Sequence, residues 1–172
     1  MFVVGLVVGG LLSAVVLGLA SGLFAPVPPV WRYGATVLAA LLGLLRELGP
    51  AGVPLAPIRL PQNTRQVPQD VLQRSLVRGA LQFGFELGTG VRTYLSASAP
   101  YVLAVAVLLA GQRLHVAVLA GLGFGAGRAA TPLLRRASGV AADWDTRLQA
   151  RLRGITVLAG AAMLAAFAML TP

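Results

Sequence analysis

This 172-residue sequence predicts an all-α fold, a polytopic transmembrane helical bundle of about five spans with one long broken helix and interfacial helices. Three observations carry that expectation. Hydrophobic residues make up 57% of the chain and charged residues 11%, against about 25% charged in soluble domains. The mean hydropathy is +0.81. Most charges gather in two stretches, 49–78 and 128–153, leaving long apolar runs between them. A soluble globule this poor in charge could not cover its surface, and disorder requires low hydrophobicity, the reverse of what is found here.

The elements follow in chain order. Phe2 to Phe24 contains no charge and is long enough to span a hydrocarbon core, which takes about 20 apolar residues. A cleaved signal peptide ending near Ala20 and Gly22 is the alternative for 1–24, but its positively charged n-region is missing. Pro26, Pro28 and Pro29 forbid continuation, and Trp31 with Tyr33 suits a membrane interface. A second run from Tyr33 to Leu45 or Leu48 is closed by Arg46, Glu47, Gly49 and Pro50, making residues 1–48 a transmembrane helix pair. The 49–78 stretch is a Pro/Arg-rich linker whose five prolines, from Pro50 to Pro68, are too closely spaced for a long helix. Its end, Pro68 to Arg74, reads as the start of an amphipathic helix lying on the membrane.

Residues 79–134 are expected to form a broken helix and a return span. Gly79 to Gln112 holds Glu86, Arg92 and Pro100 and is too long for one straight crossing at about 1.5 Å per residue. Leu114 to Leu134 is apolar and glycine-rich, interrupted by Arg128 and Pro132 and ended by Arg135 and Arg136. Asp143 or Asp145 can then cap a surface helix carrying Trp144, Leu148 and Leu152, so 135–153 reads as an interfacial basic segment. Residues 154–172 form the last span.

Charge placement sets the expected topology. All fourteen basic residues are arginine, and their concentration in 49–78 and 128–153 places both stretches in the cytoplasm by the positive-inside rule. An even number of crossings then separates them, which gives five spans, a cytoplasmic N-terminus and an external C-terminus in a cell membrane. Arginines flanking apolar segments meet anionic headgroups, so the net charge of +9 implies the lipid bilayer as partner and no nucleic acid. With no cysteine and no lysine, thiol redox chemistry, Cys-type metal sites and Schiff bases are excluded. His115 is the only histidine and lacks companions for a metal site. The alternating glycines of 121–127 lack the strand, acidic residue and Gly-Lys-Ser/Thr sequence of a nucleotide site. No catalytic, cofactor or metal site is expected; Ser96, Ser98 and Tyr101 lie near one another without a base.

The most informative local feature is a polar stripe. Arg78, Gln82, Glu86, Thr89, Thr93 and Ser96 recur at helical spacing, within roughly 40 degrees of one line on a helix beginning near Arg78. Arg92 lies at its edge, six residues from Glu86, too far for a good helical ion pair. Three readings stay open: an interfacial helix touching headgroups, a polar seam buried between helices, or a substrate or ion path. The path would comprise Gln82, Glu86, Thr89, Arg92, Thr93, Ser96 and the Pro100 break. Small-xxx-small pairs at Gly5/Gly9, Gly18/Gly22, Gly84/Gly88, Gly121/Gly125 and Gly123/Gly127 point to close helix packing.

Gly88-Thr89-Gly90-Val91, the Ala99-Pro100-Tyr101 break and Phe24-Ala25-Pro26 resemble the superfamily of small bacterial membrane proteins that includes the CcdA and DsbD electron carriers and the LysE exporters. In the redox branch a proline precedes a reactive cysteine, whereas Val27 and Tyr101 follow Pro26 and Pro100 here, so thiol electron transport does not carry over. The expected function is a transporter or channel-like component for a small solute or ion, working as a homo-oligomer or within a larger membrane complex. The alternative is a non-catalytic accessory or scaffold subunit of such a complex.

Overall fold

The computed structural model describes residues 1–49, 76–90, 97–111 and 113–169. Those residues are all-α, with no strand among them: α1 Phe2–Ala20, a 3-10 turn Ser21–Phe24, α2 Pro29–Leu48, α3 Leu76–Thr89, α4 Ala99–Leu108, α5 Leu114–Ala137 and α6 Ala141–Met169. Three helical stretches are long and apolar enough to cross a membrane: Phe2–Phe24, α5 and α6. The shorter α4 is apolar too, whereas α2 carries Arg32, Arg46 and Glu47.

α1 is the centre of the bundle, and glycine is the reason it can be. It packs against α3 on one side and α5 on the other. A Cβ added to Gly9 would meet the Phe85 carbonyl and lie 2.9 Å from the Thr89 nitrogen, and one added to Gly84 would meet the Phe2 carbonyl. The pairs Gly5/Gly9 and Gly84/Gly88 therefore lie backbone to backbone and in the same chain direction, making α1 and α3 parallel. Across the other face, a Cβ on Gly10 would sit 2.8 Å from the Gly121 carbonyl and one on Gly125 2.6 Å from Val7 Cα. There the numbering runs in opposite senses, so α5 is antiparallel to α1. Close approach of small residues replaces long apolar side chains as the source of packing, and the buried core is correspondingly sparse in large residues, with Leu6 the principal one.

α2 stands apart from this trio and pairs with α6. The Arg153 guanidinium donates to the Leu48 and Gly49 carbonyls at 3.2 and 3.1 Å, placing a cation at the negative end of α2. Gly160 packs on Leu44 further along, so these two helices are antiparallel. Residue 49 and the basic stretch around 153 consequently meet at one end of the bundle. At that end the α5–α6 turn passes through Gly139, whose φ of 73° is open to glycine without strain. Arg135 closes the turn on Asp145 with a two-pronged bond, Nε to Oδ1 at 2.8 Å and Nη2 to Oδ2 at 2.9 Å.

Three boundaries differ from the sequence expectation. The broken helix of 79–112 is interrupted after Thr89, at Gly90 with φ 70°, not at Pro100. Pro100 instead sits in the first turn of α4, where its missing N–H would have had no helical partner. α5 runs unbroken through Arg128 and Pro132 to Ala137; one proline removes one backbone bond and leaves the helix otherwise intact. The interfacial segment and the last span are one continuous helix, α6, because Gly154 alone costs only about 1 kcal/mol relative to alanine. The start of the membrane-surface helix at Pro68 to Arg74 and most of the 49–78 linker lie outside the described residues.

Candidate functional site

Short length and early termination make the site. α3 has Gly84 and Gly88 against α1, which turns the stripe of Gln82, Glu86 and Thr89 to roughly the opposite side. The helix ends halfway up α1: Ser13 Oγ, in the middle of Phe2–Ala20, donates to the Thr89 carbonyl at 3.1 Å. α4 begins at Ala99 and runs toward the other end of the bundle, where Arg32 Nη1 reaches the Leu109 carbonyl at 3.5 Å. α3 and α4 thus form one interrupted passage.

Beside that interruption lies a cavity of about 920 Å³. α1 contributes Ser13, Val16 and Leu17 to its wall, α3 Gln82, Phe85, Glu86 and Thr89, α4 Pro100, Tyr101 and Val107, and α5 Gly121 and Phe124. Most of this wall is hydrocarbon or aromatic ring. It opens outward along α1, where Leu12 and Val16 are 49% and 57% exposed. Within it Gln82 Nε2 donates to Glu86 Oε1 at 3.3 Å, and the Thr89 hydroxyl donates back to the Glu86 carbonyl at 2.8 Å. The structure therefore gathers Gln82, Glu86, Thr89 and Pro100 at one cavity. Arg92, Thr93 and Ser96 lie outside the described residues. Arg78 is an exposed residue in the first turn of α3.

Glu47 and Ser98, which do not line the cavity, fix the start of α4 beside it, a contact that the sequence pattern does not predict. Glu47, read from the sequence as part of a helix stop, accepts the Ser98 backbone N–H at 2.8 Å with Oε1. The Ser98 hydroxyl stands between two acceptors, the same Oε1 at 2.7 Å and the Gly43 carbonyl at 2.9 Å. A carboxylate is thereby set at the positive end of α4, with Arg46 beside it at 3.3 Å. The opposite end of α4 faces Arg32, also from α2. Gly43 lets the helices close, since a Cβ there would lie 2.8 Å from Val102 Cγ2. With Ser98 only 4% exposed, Glu47 acts as a helix cap and not as a base for an accessible nucleophile. A Glu-to-Ser separation of fifty-one residues, from position 47 to 98, leaves no periodic signal from which this cap could have been read.

Among the described residues no group of three or more His, Cys, Asp or Glu could hold a metal ion. Comparison with protein families, curated proteins and solved structures found no match to this chain.

Proposed function

We propose that this protein is a multi-pass membrane protein that handles a small solute or ion as a transporter or channel-like component, with the cavity beside the α3–α4 interruption as its path. One observation carries the reading: Gln82, Glu86, Thr89 and Pro100 meet at a cavity next to the break in a helical passage. An ionisable side chain at membrane depth is costly and marks function by default. Interrupted helices near the midplane are also where transporters place their sites. In this reading α1, α2, the α3–α4 passage, α5 and α6 are five crossings, with residue 49 and the basic start of α6 on the cytoplasmic side. α6 has 29 residues, about 43 Å of helix at 1.5 Å each. That exceeds a hydrocarbon core of about 30 Å, so its arginine-bearing first third emerges into the headgroups.

The arrangement of helices favours a carrier over a static pore. α1, α3 and α5 form one tightly packed group, while α2 holds α6 and brackets α4 with Glu47 and Arg32. Three of the connections between these groups carry a left-handed glycine, Gly90, Gly111 and Gly139, and such joints can absorb a change in backbone angle. The cavity lies where the groups face each other. The working unit is an oligomer, since five crossings are few for a complete carrier.

A second reading, an accessory or scaffold subunit of a larger membrane complex, is favoured by α5. Among the described residues nothing lies within 4 Å of a Cβ added to Gly123 or Gly127, so this small-residue face packs on no described helix. The readings separate in proteoliposomes. Transport requires that purified protein pass a small solute and that Glu86→Gln change the flux; unchanged flux removes Glu86 from the path. The scaffold reading requires a fixed partner in mild-detergent pull-down, which a lone stable monomer would contradict.

A further inference from the structure

A second site lies at the end of the bundle where the arginines gather; it rests on the reading of α5 and α6 as crossings, and not on transport. Among the described residues three arginines are half-buried: Arg32, Arg46 and Arg128. Arg32 donates to the Leu109 carbonyl and Arg46 to Glu47. Arg128 has an aromatic ring instead, with its Cζ 5.7 Å from the Phe124 centroid, and no hydrogen bond or ion pair among the described residues. One face of the guanidinium is covered, while its N–H fork, shaped for a carboxylate or phosphate, has no acceptor. A charge in that state on a membrane crossing marks a site whose partner comes from elsewhere.

The depth of Arg128 selects the partner. A Cβ on Gly125 would lie 2.6 Å from Val7 Cα. Because α5 is antiparallel to α1, Arg128, about 4.5 Å further along at 1.5 Å per residue, comes level with the first turn of α1. At the same end of the bundle Arg153 bonds the Leu48 and Gly49 carbonyls. In the five-crossing reading this is the cytoplasmic edge of the hydrocarbon, the depth at which phospholipid phosphates lie. The cavity runs deeper, along Ser13, Val16 and Leu17, and Arg128 does not line it.

The neighbouring surface has room for a lipid. Arg128, Thr131 and Arg135 recur at intervals of three and four and so share one face of α5. That face turns toward α6, because Arg135 holds Asp145. On α6 the same rule places Leu148, Leu152 and Ile155 in line with Asp145. From the Gly139 turn the two helices part, α5 onto α1 and α6 onto α2, and Leu152 and Ile155 stay 44% and 48% exposed. The result is a cleft with a guanidinium and a hydroxyl on one wall and aliphatic side chains on the other. Its carboxylate, Asp145, is taken by Arg135, which leaves the charge of Arg128 to the occupant.

We infer that this cleft binds an anionic phospholipid of the cytoplasmic leaflet, its phosphate against the Arg128 guanidinium and the Thr131 hydroxyl, its acyl chains starting along Leu152 and Ile155. Basic pockets between crossings on the cytoplasmic side suit such headgroups.

Native mass spectrometry of the purified full chain in one detergent tests this, with phosphatidylglycerol and phosphatidylcholine of identical acyl chains titrated in competition. The first phosphatidylglycerol is expected to bind at least about tenfold more tightly than the first phosphatidylcholine, the ratio that one charged hydrogen bond supplies. Arg128→Gln is expected to abolish that preference and Arg128→Lys to keep part of it. Arg147→Gln, which alters an exposed arginine on another face of α6, should leave it unchanged. Equal binding of the two lipids by the unaltered chain overturns the inference whatever the variants do. So does an equal loss from Arg128→Gln and Arg147→Gln, the mark of diffuse attraction to the net charge of +9. Displacement of the phosphatidylglycerol by millimolar inorganic phosphate also overturns it, since the cleft would then be a site for a soluble anion. A preference that survives Arg128→Gln removes the lipid site and leaves the crossings standing, whereas a chain that stays dissolved without detergent removes both.

Discussion

Glu47 and Ser98 lock α4 to α2: one carboxylate oxygen of Glu47 lies 2.8 Å from the Ser98 backbone nitrogen and 2.7 Å from its hydroxyl. Both partners are well buried, with Ser98 4% exposed and the Glu47 side chain 11% exposed. This cap fixes where the second half of the interrupted passage begins, and with it the position of Pro100 and Tyr101 in the cavity wall.

Removal of the cap is expected to be costly and graded. Glu47→Ala leaves the Ser98 N–H without its charged acceptor and should destabilise the protein by about 1.5–3 kcal/mol, while Glu47→Gln, which keeps an acceptor oxygen, should lose less. Ser98→Ala leaves the backbone bond intact and should lose least. Thermal unfolding in one detergent at fixed concentration measures the order, and equal losses for all three would show that the cap is not what holds α4.

The glycine contacts make a paired forecast. Gly9→Val places a side chain against the Phe85 carbonyl and the Thr89 nitrogen, which forces α1 and α3 apart; overpacking of this kind costs about 1–3 kcal/mol. Gly127→Val points into open space and should change stability by no more than about 0.5 kcal/mol. If the second substitution proved as damaging as the first in a monodisperse monomer, the packing described for α5 would be wrong.

The Arg135–Asp145 pair gives a pH forecast. Both hydrogen bonds from the guanidinium hold the Asp145 carboxyl below the usual carboxylate range, and the pair lies outside the apolar part of either helix. A lowered value in the folded protein means that the stabilisation is present above the unfolded value of about 3.9 and disappears as pH falls below it through the folded value. The melting difference between the protein and Asp145→Asn should therefore be constant from about pH 8 to 5 and shrink below about pH 4. It should also shrink with added salt, since the two side chains are 50% and 44% exposed. A difference that grew on acidification would refute the assignment.

The crossing pattern can be read with single cysteines, because the chain has none of its own. Ala25→Cys, next to the 3-10 turn, and Ser138→Cys, at the α5–α6 turn, lie at opposite ends of the bundle and should react with a membrane-impermeant maleimide from opposite faces of intact cells. Reaction of both from one face would remove the five-crossing proposal.

Several parts of this architecture were legible because they depend on local pattern. The charge-free run from Phe2 and the prolines 26, 28 and 29 locate α1 and its end within a few residues. The spacing of Gln82, Glu86 and Thr89 describes one face of α3 as the structure has it, and the glycine pairs Gly5/Gly9 and Gly84/Gly88 are in close contact with each other. Less legible was where a helix stops when two stop signals compete. Gly90 ends α3 with a left-handed backbone, while Pro100, the stronger signal in isolation, is absorbed at the start of α4. Gly154 looked like a boundary and is interior to α6.

Composition and periodicity by themselves determined that this chain is helical, apolar and glycine-packed, with a polar stripe on one short helix, since each of those properties is set by neighbours within a turn or two. Only the tertiary structure decided which glycine pairs meet, that α3 stops halfway along α1, and that Glu47 reaches Ser98. Those are contacts between segments far apart in sequence, chosen by the fit of one backbone against another and by the need of a buried helix end for an opposite charge. No repeating spacing along the chain encodes either requirement.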